Sequence, residues 1–341
     1  MIKKIMVIGE GAYSWMAPAW VKVLREFNYH VLFVDQNNYI ANNLLSKALS
    51  RVNFRLFIRN YNKAIVESFN KYQPDLVFLH NPYNIDSRTI EKLKGRAILS
   101  GYCHDNYFAE IYEKYKIGYK EIVSLFDTLH VLRDPEFEFL RIKYQNVRLF
   151  KAECYFCPWD HKLEIRAITR QISFIGHAEN DERIEYIAKA IESNIPISIS
   201  GPTKQWHKML PSKYIKKIDP IVPLHGKNYV TAIQSSNVSL AFYGKANFDN
   251  HGIRTYEIPA CGSLLLSQDT SKVRELYKVG SECDVFDSFN DFIEKIDFYT
   301  RNLKIRNEVA LAGNRRGILS GYDIYSRAKD FIRDIEDYKN A

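Results

Sequence analysis

Arg254 and Glu257 are the two residues of this chain whose types and spacing most directly suggest a chemistry. They lie three positions apart in the stretch NHGIRTYEIPACGSLLLSQ, residues 250–268. Residues at that spacing leave the same face of a helix. Gly262 stands where a helix would end in a left-handed cap, and residues 263–267 have the apolar character of a buried strand. The stretch therefore predicts a helix over 252–261 that leads into a central strand.

An arginine in the first turn of this helix suits a diphosphate. Its planar fork adds hydrogen bonds to those of the free backbone N–H groups at the positive end of the helix dipole. Glu257, one turn later, can accept hydrogen bonds from the hydroxyl groups of a sugar or ribose. The polar loop before the helix supplies further candidate contacts, which are Lys245, Asn250, His251 and Gly252. The alternative is an Arg–Glu pair on a solvated helix face.

The wording of this region resembles a known family. Three segments carry the resemblance: RTYEIPACGSLLLS at 254–267, VRELYKVGSE at 273–282, and LAGNRRG with YSRA inside 311–328. They are similar to the C-terminal half of glycosyltransferases related to spore-maturation proteins (CgeB-like), and the resemblance covers the chain from Ile172 onward. It implies the GT-B fold, which has two facing Rossmann-like α/β domains and a C-terminal helix crossing back to the first domain.

The resemblance also implies donor-binding residues. In the family, a glycine turn and an arginine a few residues later lie near the donor diphosphate, and Gly176 and Arg183 match this order with similar spacing. His177 is a candidate contact for a phosphate or hydroxyl group, with a solvated loop histidine as the alternative. Tyr256 joins Arg254 among the donor-side candidates.

The first half of the chain alternates predicted strands and helices, which indicates a parallel sheet covered on both faces. The predicted strands are 4–9, 30–35, 53–58, 75–80, 97–102 and 128–132, and the predicted helices are 15–27, 42–50, 61–72, 87–93, 107–126 and 135–144. Ligands of such sheets bind beyond the carboxyl ends of the strands.

The first strand ends in the loop GEGAYS, residues 9–14. Its two glycines permit a tight turn, but Ser14 stands where a dinucleotide-binding fingerprint has its third glycine. Asp35, at the end of the second strand, stands where a ribose-binding acid would, so a nicotinamide-dependent enzyme is an alternative. In the GT-B interpretation this loop meets the acceptor, with Gly11, Tyr13 and Ser14 as acceptor-side residues.

His104 and Asp105 follow the strand predicted at 97–102. An imidazole or a carboxylate at a strand end can accept a proton from an attacking hydroxyl group. Because adjacent residues of an extended segment point in opposite directions, at most one of the two is expected to face a ligand. Both are catalytic candidates together with Arg254, and the alternative is a polar cap on a strand end.

Between residues 151 and 170 the alternation breaks into Cys, Pro, Trp and charged residues, which predicts a domain connection. We expect an acceptor-side domain over 1–160, a donor-side domain over 161–320 and a C-terminal helix over 321–341. The predicted strands of the second domain are 171–176, 195–201, 221–226, 238–242, 263–267 and 283–286. Trp206 is expected to seal the domain surface rather than stack on a base.

The chain has 341 residues and a formal net charge of +8. This positive charge suits an anionic partner such as a nucleotide donor or an anionic membrane surface. Basic and acidic residues alternate along most of the chain, so no basic stripe for reading nucleic acid is visible. No apolar run of about 18 residues and no signal peptide are recognisable, so a cytoplasmic location with peripheral contact to the inner leaflet is expected. Five cysteines are expected to be reduced, with Cys154 and Cys157 in the core rather than on a metal.

These observations predict a glycosyltransferase that moves a sugar from a nucleotide diphosphate donor to a saccharide, lipid-linked or other cell-surface glycan acceptor. Arg254, Arg183 and helix amides would stabilise the charge of the leaving diphosphate, so no metal or other cofactor is expected; the sequence also lacks a suitably placed Asp-x-Asp. The alternatives are a nucleotide-sugar epimerase, an NAD-dependent oxidoreductase of Rossmann type, and a carbohydrate-binding protein without catalysis.

Overall fold

The structure, a computed structural model, describes residues 2–11, 15–40, 43–106, 108, 119–218 and 220–341. The chain divides into two compact units. The first unit consists of Met1–Glu153 and Ile324–Ala341, and the second of Cys154–Asp323. The division therefore falls a few residues before the connection expected at 160, and the C-terminal helix belongs to the first unit.

The first unit is built on a parallel sheet in the order β2-β1-β3-β4-β5-β6. Its strands are β1 Lys4–Gly9, β2 His30–Asp35, β3 Leu76–His80, β4 Ile98–Cys103, β5 Thr128–Val131 and β6 Arg148–Lys151. Its helices are α1 Met16–Glu26, α2 Leu44–Val52, α3 Phe54–Tyr72, α4 Ser87–Leu93, α5 Tyr119–Ile122, α6 Asp134–Lys143 and α15 Ile324–Asn340. The helix predicted over 107–126 lies largely outside the described residues.

Helix α15 covers one face of this sheet together with α1. The ring of Phe331 lies 4.4 Å from the ring of Phe78 and 5.5 Å from that of Trp20, measured between centroids. The opposite face buries an aliphatic layer against α3 and α4 that includes Val77 and Leu79. Two covered faces explain why the strands read as continuous apolar runs.

The second unit is built on a parallel sheet in the order β11-β10-β9-β7-β8. Its strands are β7 Arg170–Ile175, β8 Ile197–Ser200, β9 Ser236–Ala241, β10 Leu264–Gln268 and β11 Asp284–Phe286. Its helices are α7 Glu182–Glu192, α8 Thr203–Met209, α9 Ser212–Ile218, α10 Gly226–Gln234, α11 Ile253–Ala260, α12 Ser271–Leu276, α13 Phe289–Arg301 and α14 Leu303–Leu319. One apolar core of this unit packs Ile172, Phe174 and Trp206 at its centre.

Two predicted strands are wrong. Residues 53–58 begin helix α3, because the side chain of Asn53 accepts a hydrogen bond from the Leu56 amide (3.0 Å) and so caps the helix. Residues 220–225 form no regular element. Pro220 and Pro223 lack the amide hydrogen that a strand ladder needs. The Gly201 amide, which follows β8, donates to Val222 O at 3.1 Å, and Ile221 is buried in the core of the unit.

Candidate functional site

Three glycines follow adjacent strands at the carboxyl edge of the second sheet: Gly176 after β7, Gly201 after β8 and Gly244 after β9. A Cβ atom on Gly201 would lie 2.0 Å from the carbonyl oxygen of Gly176. That same oxygen accepts a hydrogen bond from the indole nitrogen of Trp206 at 3.0 Å. Trp206 is therefore a buried support of the loop, and the close approach of these backbones requires glycine.

Helix α11 begins at the same edge and is held at both ends. Gly252 is its N-cap, and the Gly252 amide donates to the Thr255 hydroxyl at 3.2 Å. At the other end, Asn314 Nδ2 donates to the carbonyl oxygens of Pro259 and Ala260 at 3.0 and 2.8 Å. Gly262 follows with φ +82°, the left-handed cap expected from the sequence.

Arg254 occupies the first turn of α11 and lies against Gly176. A Cβ atom on Gly176 would come within 3.1 Å of Arg254 Nη2 and 3.3 Å of Arg254 Cζ. The Nε atom of Arg254 is buried without a hydrogen-bond partner. No carboxylate among the described residues forms an ion pair with Arg254, so the alternative of a solvated Arg254–Glu257 pair is not found. The helix N-terminus thus presents a half-buried, unpaired guanidinium.

The Glu257 carboxylate is buried and contacts two protein side chains. It is 1% exposed, accepts a short hydrogen bond from the Tyr229 hydroxyl, and lies 3.3 Å from His161 Nε2. Burial and the neighbouring Glu257 carboxylate raise the pKa of Tyr229 well above its usual value, so Tyr229 remains a donor. A direct contact of Glu257 with a sugar would require Tyr229 or His161 to give up its position.

The predicted donor contact of Tyr256 is corrected by the structure. This side chain is 1% exposed, and its ring packs 5.5 Å from that of Tyr322 and 6.0 Å from that of His251. The Tyr256 side chain points from α11 into the interior of the protein, and its packing stabilises the helix. We therefore regard Tyr256 as a core residue.

Arg183 also departs from its predicted role. Its guanidinium is 3% exposed and forms two 2.7 Å hydrogen bonds to the Asp181 carboxylate. It further lies 3.1 Å from Glu179 Oε1 and donates to the carbonyl oxygen of His177 at 3.2 Å. With these partners Arg183 is fully engaged in holding the loop after β7, so it positions that loop and does not offer a free fork to a diphosphate.

His177 is an exposed residue of the same loop, as is Asn180. Its pKa is lowered, first by partial loss of hydration and then by the positive charges of Arg254 and Arg183. The effect of Arg254 places the imidazole within electrostatic reach of the guanidinium. A neutral His177 can donate to or accept from a hydroxyl or phosphate group without adding a second cation.

The polar loop before α11 is ordered by its own contacts. Asn250 Oδ1 lies 2.7 Å from His251 Nδ1, and the Asn250 carbonyl accepts from the Thr270 hydroxyl at 2.6 Å. A Cβ on Gly252 would meet no atom within 4 Å, so the space above the helix start is open. Lys245 forms an exposed ion pair with Glu182. The structure thus brings Asn250, His251 and Gly252 to the same strand edge as Arg254.

Two carboxylates near this edge were not identified from the sequence. A Cβ on Gly244 would lie 2.7 Å from Glu179 Oε2 and 3.2 Å from Asp249 Oδ2. Burial raises the pKa of Glu179, and the charges of Asp181 and Asp249 act in the same direction, against the opposing effect of Arg183. The available signal was positional, because both acids lie in loops that follow strands β7 and β9.

In the first unit, Gly11 is bound by Asp35. The Gly11 amide donates to Asp35 Oδ1 at 2.9 Å, and the same oxygen accepts from the amide of Asn37 at 2.9 Å. Asp35 therefore orders the loop after β1, which weakens its interpretation as a ribose-binding acid. The predicted acceptor residues Tyr13 and Ser14 lie outside the described residues.

His104 and Asp105 follow β4 at the carboxyl edge of the first sheet. The His104 amide donates to Asn81 Oδ1 at 2.9 Å, and its carbonyl accepts from Arg133 Nη1 at 2.8 Å. Loss of hydration and the charge of Arg133 lower the pKa of His104 to about 3. Such an imidazole stays neutral near pH 7 but binds a proton only weakly, which disfavours it as a general base.

The sequence also raises expectations about cysteines, metal sites and membrane-spanning helices, and the described residues bear on each of them. The five cysteines are buried and unbonded to one another. Within the residues that the structure describes, no group of three or more His, Cys, Asp or Glu side chains is placed to hold a metal ion. None of the helices described is long and apolar enough to cross a membrane.

Comparison with known proteins agrees with this fold. Residues 170–333 match a family described as Glycosyl transferase-like. Sucrose-phosphate synthase from Thermosynechococcus elongatus has a similar structure, with a TM-score of 0.72 at 12% identity over 98% of each chain. HepE of Anabaena, solved with UDP-glucose, has a TM-score of 0.65 at 9% identity over 98% of this chain and 99% of its own.

A putative UDP-N-acetylglucosamine 2-epimerase from Listeria monocytogenes has a TM-score of 0.55 at 14% identity, covering 99% of this chain and 96% of its own. No curated protein sequence is significantly similar to the chain. Identities this low show the fold alone. The two parallel-sheet units are those of the GT-B fold, and the region 170–333 is glycosyl transferase-like in sequence.

Proposed function

We propose that this chain, with its GT-B fold and glycosyl transferase-like second unit, transfers a sugar from a nucleoside diphosphate donor bound at the carboxyl edge of the second sheet. The observation that carries the proposal is Arg254. It is an unpaired cation at a helix N-terminus, packed on the glycine that follows a central strand. A diphosphate supplies the negative charge and the oxygen acceptors that this position lacks.

The chemistry requires that the bond between the anomeric carbon and the diphosphate oxygen breaks. Negative charge grows on the diphosphate as it leaves, so a fixed cation and helix amides lower the barrier when they bind that charge more strongly in the transition state. Arg254 and the amides at the start of α11 perform this role. Asn250, His251 and His177 would contact the donor's remaining polar groups, while Arg183 and Glu257 hold the loop and the helix in place.

The acceptor binds the first unit in this proposal, at the edge that carries Gly11 and Asp105, and the sequence adds Tyr13 and Ser14 as candidate acceptor-side residues. An attacking hydroxyl group must lose a proton, and we propose the Asp105 carboxylate, which follows β4, as its base. Replacement of Asp105 by Asn should lower kcat by at least about 100-fold. Unchanged turnover in D105N would remove Asp105 from the mechanism.

Location and acceptor class are also proposals. A concave surface of α3 and α4, which we call the basic concavity, is lined by more basic than acidic side chains: Arg55, Arg59, Lys63, Arg88 and Lys92 against Glu67 and Asp86. Beside it, Val52 and Leu56 are exposed apolar residues. This combination suits an anionic membrane surface, and it supports a cytoplasmic enzyme that reaches a lipid-linked or cell-surface glycan acceptor at the inner leaflet.

Sedimentation with vesicles tests the membrane contact. The double variant R55E/R59E should lose binding to vesicles that contain phosphatidylglycerol, since each basic residue near such a surface contributes about 1 kcal/mol. The exposed Lys304 of the second unit provides a matched control, and K304E should bind like the wild type. Equal binding by wild type and R55E/R59E, or no binding by either, contradicts a membrane role for the basic concavity.

The reaction itself is tested with a panel of UDP-, GDP- and dTDP-sugars, without added metal and with EDTA as a second arm. Release of nucleoside diphosphate that survives EDTA supports metal-independent transfer. The epimerase among the similar structures makes a second outcome specific: interconversion of two nucleotide sugars without release would replace transfer by epimerisation. Tight binding without turnover would identify a carbohydrate-binding protein instead.

The sequence of residues 254–267 supports the further proposal that the chain is related to the spore-maturation-related glycosyltransferases.

A further inference from the structure

The second unit contains another cavity, at the opposite edge of its sheet from Arg254. The cavity has a volume of about 720 Å³. It is bounded by residues near the amino ends of β7, β8 and β9, including Gln171, Ile195 and Asn237, and by side chains of α13 and α14. Because β7 is six residues long, roughly 20 Å of strand separates this cavity from the glycine edge. The proposed donor site does not include it.

Arg306 is the residue that gives this cavity a chemistry. Its side chain lines the cavity, is 7% exposed, and donates from Nη2 to Asn307 Oδ1 at 2.9 Å. The Nη1 atom has no hydrogen-bond partner, and no carboxylate among the described residues forms an ion pair with this guanidinium. Burial alone lowers the pKa of Arg306, as expected for a cation without a counter-charge. A buried and unpaired arginine is unfavourable for folding unless an anion joins it.

The rest of the lining is consistent with an anionic ligand. Asp297 is the acid of the lining, and its carboxylate is already bound by Arg301 at 2.7 Å. Asn237 donates from Nδ2 to Gln171 Oε1 at 2.5 Å, but its Oδ1 is buried without a partner. Aliphatic side chains such as Ile195 and Ile296 complete the wall. The cavity thus combines a cation, a hydrogen-bond acceptor and apolar surface.

We propose that this cavity binds a small organic anion, in which a carboxylate or phosphate group meets Arg306 and a neighbouring hydroxyl group donates to Asn237. The apolar wall favours a compact body over a bare inorganic ion, since bare ions remain better hydrated in solution. Both head groups share the chemistry that the guanidinium fork recognises, and the probes below separate them. The site does not depend on the identity of the reaction at the other edge.

The test uses the full-length protein and four probes: inorganic phosphate, glucose 6-phosphate, citrate and neutral glucose. A ligand that binds only the folded state raises the melting temperature in a saturable way. We expect glucose 6-phosphate or citrate to do so, with titration calorimetry giving an affinity that falls by at least about tenfold in R306M. Glucose should have no effect, and inorganic phosphate should bind more weakly than the organic anions.

Matched variants assign the effect to this cavity. R315M changes an exposed arginine of α14 that does not line the cavity, and R254A removes the cation of the other edge; both should keep the anion affinity of the wild type. Without ligand, R306M should melt at a higher temperature than the wild type, because it replaces an unpaired buried cation by an apolar side chain. If R306M does not fold, I195W fills the cavity and should abolish anion binding in its place.

Two results would overturn the proposal. One is that none of the three anions shifts the melting temperature of the wild type at millimolar concentration. The other is that an anion binds R306M and I195W as well as it binds the wild type, which would locate it elsewhere.

Discussion

Arg183 and Arg254 both lie against the loop that follows β7, yet their surroundings give them different tasks. Arg183 has Asp181, Glu179 and a backbone carbonyl as partners, so its charge is neutralised inside the protein. Arg254 has no such partner among the described residues and packs on Gly176. A guanidinium that the protein leaves unpaired at a helix N-terminus is available to a ligand, whereas a neutralised one supports the backbone.

Substitution of Arg254 tests geometry separately from charge. R254K keeps the cation but loses the bidentate fork. The transition-state stabilisation calculated from kcat/KM for the best donor should therefore fall by about 1 to 3 kcal/mol. R254A should lose more. Steady-state kinetics with each variant measures the effect, and a melting curve excludes unfolding. Near-normal turnover by R254A would contradict the donor site proposed at this edge.

Gly176 and Gly252 form a matched pair for the same site. G176A places a methyl group 2.8 Å from the Phe174 ring and 3.1 Å from Arg254 Nη2, so the guanidinium must move. We expect donor affinity to fall by about tenfold, with an added stability loss of about 1 to 3 kcal/mol from overpacking. G252A meets no atom within 4 Å and should retain the fold. Calorimetric titration of a nucleoside diphosphate compares them; equal affinity in G176A and wild type would refute the contact.

At the scale of elements, the parallel sheets and most of their strands and helices could be predicted, because apolar runs and their spacing reflect burial on a parallel sheet. The failures have local causes. An apolar alternation at 53–58 predicted a strand, but the Asn53 cap and the continuing apolar spacing through α3 favour a helix. Two prolines remove ladder donors near 221–225, and the short strand β6 was missed because its apolar content is small.

At the site, too, some features could be predicted from the local sequence and others depend on contacts in the folded protein. The helix over 252–261 and the place of Arg254 in its first turn could be predicted from residue type and spacing, whereas Gly176 was indicated by the family resemblance. The engagement of Arg183 by Asp181 and Glu179 was not identified from the sequence, although both acids lie within four residues of it. The inward direction of Tyr256 depends on Tyr322, which is distant in sequence.

Strands β3 and β5 each bury a histidine on the face covered by α15, and this predicts sensitivity to acid. Burial lowers the pKa of His80 well below its usual value, and burial also lowers that of His130 despite the opposing effect of Asp334. The unfolded chain, with histidine pKa values near 6.5, takes up protons first as the pH falls, so stability is present above about pH 6.5 and is lost below it.

The expected loss between pH 7.5 and 5.5 is about 1 kcal/mol for each buried histidine. Urea unfolding at the two pH values measures it. H80F should reduce the difference by a similar amount, since a phenyl ring can stack on Tyr102 without titrating. His30 is exposed on β2, and H30Q should leave the pH dependence unchanged. A wild-type protein equally stable at both pH values would contradict the prediction.

At the scale of the whole molecule, α15 completes the core of the first unit. Phe331 is 1% exposed and touches rings from α1, β3 and β5, the last through His130 at 4.8 Å. F331A should therefore destabilise the first unit by about 3 to 5 kcal/mol, and removal of the chain after Ser320 should destabilise it further. Thermal melting measures both. F298A, at a half-exposed position on α13, serves as the control, and an F331A protein that melts like the wild type would show that α15 is dispensable.

Because α15 follows the second unit in the chain, the first unit is the first to begin and the last to be completed. A ribosome exposes β1 to β6 first, but the sheet face that carries Phe78 lacks one of its two covering helices until α15 has been synthesised, and Trp20 of α1 lacks its contact with Phe331. The second unit is continuous in sequence, so all of its residues emerge before the first unit can close. During synthesis the first unit is therefore the one that waits with a partly open apolar face, and it is the one on which a chaperone would act.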